Sequence, residues 1–410
     1  MMKYELLAPA GDVQKAMFAI DYGADAVFLG AKAYSLRSSA SNFFFKDIKQ
    51  TVDYAHERNR KVYVAVNVVC HNPLVKGFAK FIANLEETGV DGLIVADPFI
   101  IDYTKKHHPN LDLHLSTQQS VTNSKSALFW KSNGLSRVVL AREVTMDELS
   151  LLMPKVKDKV EIEYFIHGAV CIAFSGRCMM SNNWSLRDAN VGGCAQSCRW
   201  RYELKDDKQQ HHSDSFTMSP KDMALIDEIK QLMELGVASF KVEGRMKSIN
   251  YVATVIRSYR YAMDYYLANG FNTNKEDEKV ILDQVKQDLK SAENRPTNKG
   301  FAHNQPGIDA MLYHEEERKI SQTFAFIVDE IQDDGYIKVT CKNNFKKAQE
   351  YIIYGPNFKI DQVKITSLLN KNKEVVEVAN DPMSTYYLKF DQHYDLIKNS
   401  IGHIKKTLDY

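Results

Sequence analysis

Short apolar, β-branched runs alternate with stretches of helical period through the first 245 residues, the pattern of a parallel sheet wrapped by helices. Eight runs read as strands: YELLA at 4–8, ADAVFLG at 24–30, KVYVAVNVV at 61–69, GLIVA at 92–96, LDLHLS at 111–116, SRVVLA at 136–141, EIEYFI at 161–166 and SFKVEG at 239–244. Helical patterns separate most of them, among them 12–23 and 78–89, both ending at a glycine suited to a C-cap. Thr145 and Glu148 fit a capping box, and Ser219-Pro220 reads as an N-cap followed by proline at the first helical position. An eight-stranded β/α barrel is the simplest closure. A doubly wound sheet would carry G-x-G-x-x-G after its first strand, where this chain has APAGD.

In a β/α barrel the functional face lies at the C-terminal ends of the strands. The residues just past these runs are polar: Asn67, Asp97, Thr117 to Gln119, Arg142 with Glu143, His167, and Glu243 with Arg245 and Lys247. An insertion at 167–238 separates the last two strands, and it begins at this face. Beyond the barrel (1–270, with a helix at 248–268), a polar, lysine-rich stretch at 271–320 reads as a linker or an excursion over the barrel. From residue 321 alternation resumes in TFAFIVDEI, YIKVTCK, EYIIYG and YYLKF, broken by DDG, GPN and ND turns, which predicts a small antiparallel β domain over 321–410.

Length agrees with this division, since 410 residues exceed one ordinary domain. The net charge of +1 excludes a strongly basic nucleic-acid-binding chain but leaves room for a local basic surface. No apolar run approaches the roughly 18 residues of a membrane span, and no signal-like segment opens the chain, so the expectation is a soluble cytoplasmic protein without a membrane partner. In that reducing compartment clustered cysteines point to metal or redox chemistry rather than disulfides.

Four of the six cysteines fall in the insertion, Cys171, Cys178, Cys194 and Cys198, separated by six, fifteen and three residues. Thiolates select zinc or an iron–sulfur cluster over oxygen-loving ions. Structural zinc sites usually use two close pairs, whereas this array has one, and a cubane accepts ligands scattered along irregular loop. Spacing alone leaves iron–sulfur, zinc and reduced thiols all open. Glycines in SGRC and VGGC let backbone approach a bulky inorganic core. Arg177, Arg187, Arg199 and Arg201 surround the thiols, either offsetting anionic charge or forming a solvated fringe. Cys70 and Cys341 read as small buried hydrophobes.

The segments EYFIHGAVCIAFSGRCMMSN and RDANVGGCAQSCRW, with ELLAPAGD, YGADAVFLG, YAHERNRKVYVAVN, SPKDM, FKVEGRMKS and RPTNKGF, closely resemble the collagenase-like peptidase family whose catalytic type was never established. That resemblance spans almost the whole chain. It implies a β/α barrel, a 4Fe-4S cluster on Cys171, Cys178, Cys194 and Cys198, and oxygen-independent hydroxylation of tRNA, ribosomal RNA or a quinone precursor. The length and C-terminal β domain resemble the tRNA branch, which implies 5-hydroxyuridine formation at the wobble position of the anticodon with prephenate as oxygen source. A homodimer or a paralogue partner is consistent with related proteins.

A dicarboxylate co-substrate calls for cations and donors, for which Arg142, Arg187, Arg245, Lys247 and Asn67 are the candidates, each equally able to serve a structural ion pair or cap. His167 and Glu243 are candidates for proton transfer, against the plainer roles of a hydrogen-bonded histidine and a partner for Arg245. Trp200, with Arg199 and Arg201 and the nearby Trp184, Tyr202 and Lys205, suits stacking on an extruded base, or alternatively packing of the insertion. Two rival functions stand beside this reading. Proteolysis lacks H-E-x-x-H and G-x-S-x-G motifs. A non-catalytic RNA-binding module with a structural metal site leaves the polar strand ends unexplained.

Overall fold

A computed structural model describes residues 4–36, 42–205, 215–292, 295–313, 322–356 and 360–405. Strands β1 (Glu5–Pro9), β2 (Ala26–Gly30), β3 (Lys61–Val66), β4 (Gly92–Val95), β5 (Asp112–Leu115), β6 (Arg137–Val139) and β7 (Glu161–Gly168) pair in parallel in sequence order. After the insertion and the short β8 (Ser219–Pro220) and β9 (Asp222–Ala224), strand β10 (Ser239–Val242) pairs in parallel with both β7 and β1 and closes an eight-stranded barrel. Both faces of each strand are covered. Leu6, Val27, Val64, Leu93 and Phe240 join the helix layer outside, while Leu7, Phe28, Tyr63 and Ile94 form a separate apolar cluster inside.

The outer helices begin as their sequences dictate. In α1 (Val13–Asp21) the Asp12 side chain accepts from Lys15 N, and after α2 (Phe45–His56), α3 (Asn72–Glu86), α4 (Pro98–His107) and α5 (Ser124–Ser132), helix α6 (Met146–Val156) carries the expected Thr145–Glu148 capping box. Helix α3 starts at Asn72, before the run expected at 78, because Pro73 fits a first turn whose amide would be unpaired anyway. The N-cap expectation for Ser219-Pro220 is corrected. These residues are strand β8, which pairs antiparallel with Met311–Leu312.

Helix α7 (Met180–Ser185) lies in the insertion and α8 (Ile229–Leu235) precedes β10. Ser248 caps α9 (Ile249–Ala268), and the stretch at 271–320 contains a further helix, α10 (Lys275–Ser291), packed on α9 through the buried Arg257–Asp288 ion pair at 2.8 Å. Its high charge hid an amphipathic face that buries Val285 and Leu289.

The C-terminal domain is a closed six-stranded antiparallel barrel in the order Gln322–Ile331, Ile337–Cys341, Thr385–Phe390, Ile360–Leu369, Glu350–Tyr354, Ile401–Lys405. Cys341 is buried in its core, as an apolar residue would be. The domain docks on α1 and α9: Tyr22 Oη donates to the carbonyls of Tyr354 and Asn399 at 2.9 Å, and His403 Nε2 lies 2.5 Å from Asn250 Oδ1. This cover explains why α9 is buried almost all round. Among the described residues, no helix is long and apolar enough to cross a membrane.

Candidate functional site: a cation-lined pocket under a cysteine-bearing roof

A pocket of about 190 Å³ opens at the C-terminal end of the barrel. Barrel strands supply its floor, with Phe28, Ile94, Phe165 and Lys241. Strand ends supply the walls, with Asn67, Ser116, Gln118, Arg142, Glu243 and Arg245. The insertion supplies the roof, with Cys171, Phe174, Ser175, Cys178, Asn190 and Cys194.

Arg142, just beyond β6, is 9% exposed. Its Nη1 donates to Ser175 Oγ at 2.7 Å, its guanidinium carbon lies 3.8 Å from the centre of the Phe165 ring, and its Nε has no hydrogen-bond partner among the described residues. Gln118 is equally buried, and its Oε1 accepts from Ser116 Oγ at 3.1 Å while its Nε2 finds no partner. Two desolvated donors in one pocket lining call for an acceptor, because a buried donor left unmatched is costly. Arg245 Nη2 donates to the Leu36 carbonyl at 2.6 Å, and Asn67 Oδ1 accepts from Leu36 N at 3.2 Å, so both also fix the loop after β2. Asp97 caps α4 and accepts from Cys70 N, Gln119 Nε2 donates to Ala96 O, and Thr117, also on the pocket lining, donates its Oγ1 to Leu140 O.

The chain turns into the insertion directly after β7. Gly176 has φ +80°, and a β-carbon there would meet the Gln118 side chain at 2.9 Å, so this glycine serves loop geometry and close packing on the barrel rim. Buried Ser181 accepts from Ala195 N at 3.0 Å and braces the Cys194–Cys198 turn. All four insertion cysteines are free thiols, and Cys171, Cys178 and Cys194 share the pocket. Burial pushes the Cys198 thiol up, opposed by Arg199 and reinforced by the neighbouring Cys171, Cys194 and Cys178. Among the described residues no three His, Cys, Asp or Glu side chains lie close enough to grip a single ion. A cubane would take one thiolate at each of four iron corners and zinc all of its ligands at one ion; Cys171, Cys178, Cys194 and Cys198 are the residues that would hold either.

Three candidates fall elsewhere than the sequence suggested. The register between β7 and β10 shifts at Lys241/Val242, and this bulge turns His167 out of the barrel toward α9. There its Nδ1 lies 3.2 Å from Tyr259 Oη, its ring packs near Tyr251, and burial lowers its pKa to about 4, a neutral packed imidazole away from the pocket. Lys247 is held 3.2 Å from Asp222 and over the Tyr251 ring, outside the pocket lining. Burial raises the Asp222 carboxyl, but Lys247 and Arg295 more than offset it and hold it below the usual range. Arg187 is exposed on the insertion surface, also outside the lining. Trp200, 41% exposed, and Trp184, 49% exposed, lie on that surface with Arg201 and half-buried Arg199, and the Trp184 ring is 5.2 Å from Tyr202. Ile172, Phe174, Met179 and Leu186 of the insertion are exposed as well.

Lys241 was missed, although the signal was legible. In SFKVEG it is a lysine within a barrel strand whose neighbours Phe240 and Val242 face the helices, so it must face inward.

Comparison with known proteins agrees with this construction. The sequence profile of peptidase family U32 matches residues 11–312, and that of the peptidase family U32 C-terminal domain matches residues 321–398. The chain is 39% identical over 398 residues to "tRNA hydroxylation protein P1" of Bacillus subtilis, covering 95% of this chain and 92% of that protein. It is 38% identical over 263 residues to "23S rRNA 5-hydroxycytidine C2501 synthase" of Escherichia coli, covering 64% of this chain and 39% of that one. A "Collagenase" of Porphyromonas gingivalis is 34% identical over 276 residues, covering 64% of this chain and 66% of the other. With both of its characteristic regions matched and a relative aligned nearly end to end, the chain belongs to peptidase family U32.

Proposed function

We propose that this protein is an RNA-modifying enzyme of the cytoplasm that hydroxylates the wobble uridine of tRNA at carbon 5, with prephenate as oxygen source and a 4Fe-4S cluster on Cys171, Cys178, Cys194 and Cys198. The observation that carries the reading is the joining of three of those thiols and the buried cations Arg142, Arg245 and Lys241 in one pocket lining. Near full-length similarity to a tRNA hydroxylation protein favours tRNA over ribosomal RNA, since the similarity to the rRNA synthase covers a smaller part of both chains.

Each part of the pocket has work in this reaction. Arg142 and Arg245 present forked donors to the carboxylates of prephenate, and Arg142 Nε and Gln118 Nε2 gain the acceptors they lack. The apolar floor of Phe28, Ile94 and Phe165 keeps water from the bottom of the pocket. A cluster bound to the thiols supplies one-electron chemistry beside the pocket. Glu243 is the buried carboxylate of the lining and the candidate for moving a proton. Trp200 and Trp184 offer stacking faces for an extruded anticodon base, and Arg199 and Arg201 offer contacts to phosphate. A peptidase built on a cysteine nucleophile would need a base beside it, and none of the lining residues is a histidine.

The test is mass spectrometry of tRNA nucleosides from a strain lacking this protein and any paralogue. Loss of 5-oxyuridine derivatives is expected. Unchanged levels would overturn the reading, and peptide cleavage that survives removal of iron would favour a peptidase.

A further inference from the structure

The inside of a β/α barrel is ordinarily filled by layers of branched aliphatic side chains. Here charged side chains replace part of that filling and form a chain of ion pairs ending at the pocket. Glu5 accepts from Arg137 Nη1 at 2.5 Å, from Tyr63 Oη at 2.7 Å and from Ser239 Oγ at 2.7 Å. Arg137 Nη1 is also 3.5 Å from Glu163 Oε2, and Glu163 Oε1 accepts from Lys241 Nζ at 2.6 Å. Glu163 is fully buried and Lys241 is 5% exposed, yet Lys241 is part of the pocket lining.

Buried ion pairs of this kind contribute little net stability, because desolvation offsets the attraction, and a hydrocarbon layer would hold the barrel as well. The arrangement does one thing a hydrocarbon layer could not: it places an ammonium on the otherwise apolar floor of the pocket. The Lys241 Nζ lies 4.4 Å from the centre of the Phe28 ring and 5.5 Å from that of Phe165, the same ring that Arg142 covers at 3.8 Å. Two cations thus approach one pocket around a shared aromatic wall, Arg142 from the strand ends and Lys241 from below.

We propose that Lys241 contacts the small-molecule co-substrate, anchoring its buried anionic end from the barrel floor, and that Glu163, backed by Arg137 and Glu5, positions the ammonium. This deepens the proposed hydroxylation and rests on it. Lys241 is then a substrate-contacting residue and Glu163 a positioning residue.

The test is prephenate binding by titration calorimetry on the full chain, purified and loaded with iron and sulfide without oxygen. Lys241→Met should weaken binding by about 10- to 150-fold, the effect of removing one charged hydrogen bond. Glu163→Gln leaves the ammonium in place and should lose less than about a third as much, whereas a pair with only a structural role would give equal losses. The double variant Lys241→Met/Glu163→Gln leaves neither of these two charges behind, and it should fold and show the full loss even where the single change fails to fold. Wild-type protein that binds prephenate beside a folded Lys241→Met or double variant within about threefold of it overturns the Lys241 assignment alone. Wild-type protein that does not bind prephenate overturns the co-substrate reading, and this assignment with it.

Discussion

Gly30 closes β2 at the pocket rim, where an added β-carbon would overlap Arg245 Nη1 and lie 2.5 Å from Ser35 Oγ. Its backbone is outside the left-handed region, so Gly30→Ala brings no dihedral strain; the nearest atom in its way is the far end of a flexible side chain, and the short Ser35 side chain must turn as well. The guanidinium must therefore swing away, releasing the Leu36 carbonyl it holds at 2.6 Å. The lost guanidinium–carbonyl hydrogen bond costs about 1.5–3 kcal/mol of stability and the smaller unfolded-state entropy of alanine returns about 0.4–1 kcal/mol, leaving a net loss of about 0.5–2.6 kcal/mol. Co-substrate binding has no such compensation. Losing one charge-assisted contact to a carboxylate is worth about 1.5–3 kcal/mol, or roughly 10- to 150-fold in affinity. Kinetics of tRNA hydroxylation at varied prephenate should show KM raised by that factor with kcat little changed, and thermal melting should fall by about 1–10 °C. A folded Gly30→Ala enzyme whose melting falls by that amount and that keeps wild-type KM would refute the placement of Arg245 in the binding site.

Trp200→Ala should raise KM for tRNA by about 5- to 100-fold, the worth of one stacked base, and leave prephenate binding unchanged; equal effects on both would assign Trp200 to packing. Burial holds His403 near a pKa of about 3 and His167 near about 4, both below the ordinary value of 6.5. The unfolded chain therefore takes up protons that the folded chain refuses, and stability present above pH 6.5 is lost as pH falls toward 4. Each histidine contributes up to about 1.4 kcal/mol per pH unit in that window, and His403→Gln should flatten the melting profile between those limits; an unchanged slope would contradict the buried neutral state.

Strand order and barrel closure were legible because both depend on local signals: apolar runs, caps such as Thr145–Glu148, and the absence of a phosphate-binding turn. The position of the cysteines at the mouth followed from their place after β7. What stayed hidden depends on pairing between distant segments. The outward turn of His167 is set by a bulge opposite β10, and Lys247 is claimed by Asp222 together with Arg295, 73 residues further on. Likewise, Ser219-Pro220 looks like a helix start until Met311–Leu312 is seen to pair with it. Arg142 and Arg245 could be named from the strand ends, but their shared pocket required the closed barrel and the roof folded over it.

The most direct measurement uses protein reconstituted with iron and sulfide without oxygen, incubated with unmodified tRNA and prephenate, followed by mass spectrometry of the digested nucleosides. Wild-type protein is predicted to convert the wobble uridine to 5-hydroxyuridine, and serine in place of Cys171, Cys178, Cys194 or Cys198 to abolish both the visible absorption of the cluster and the product. Iron-loaded wild-type protein that leaves the uridine untouched, or a Cys171→Ser protein that oxidises it at the wild-type rate, would contradict the account.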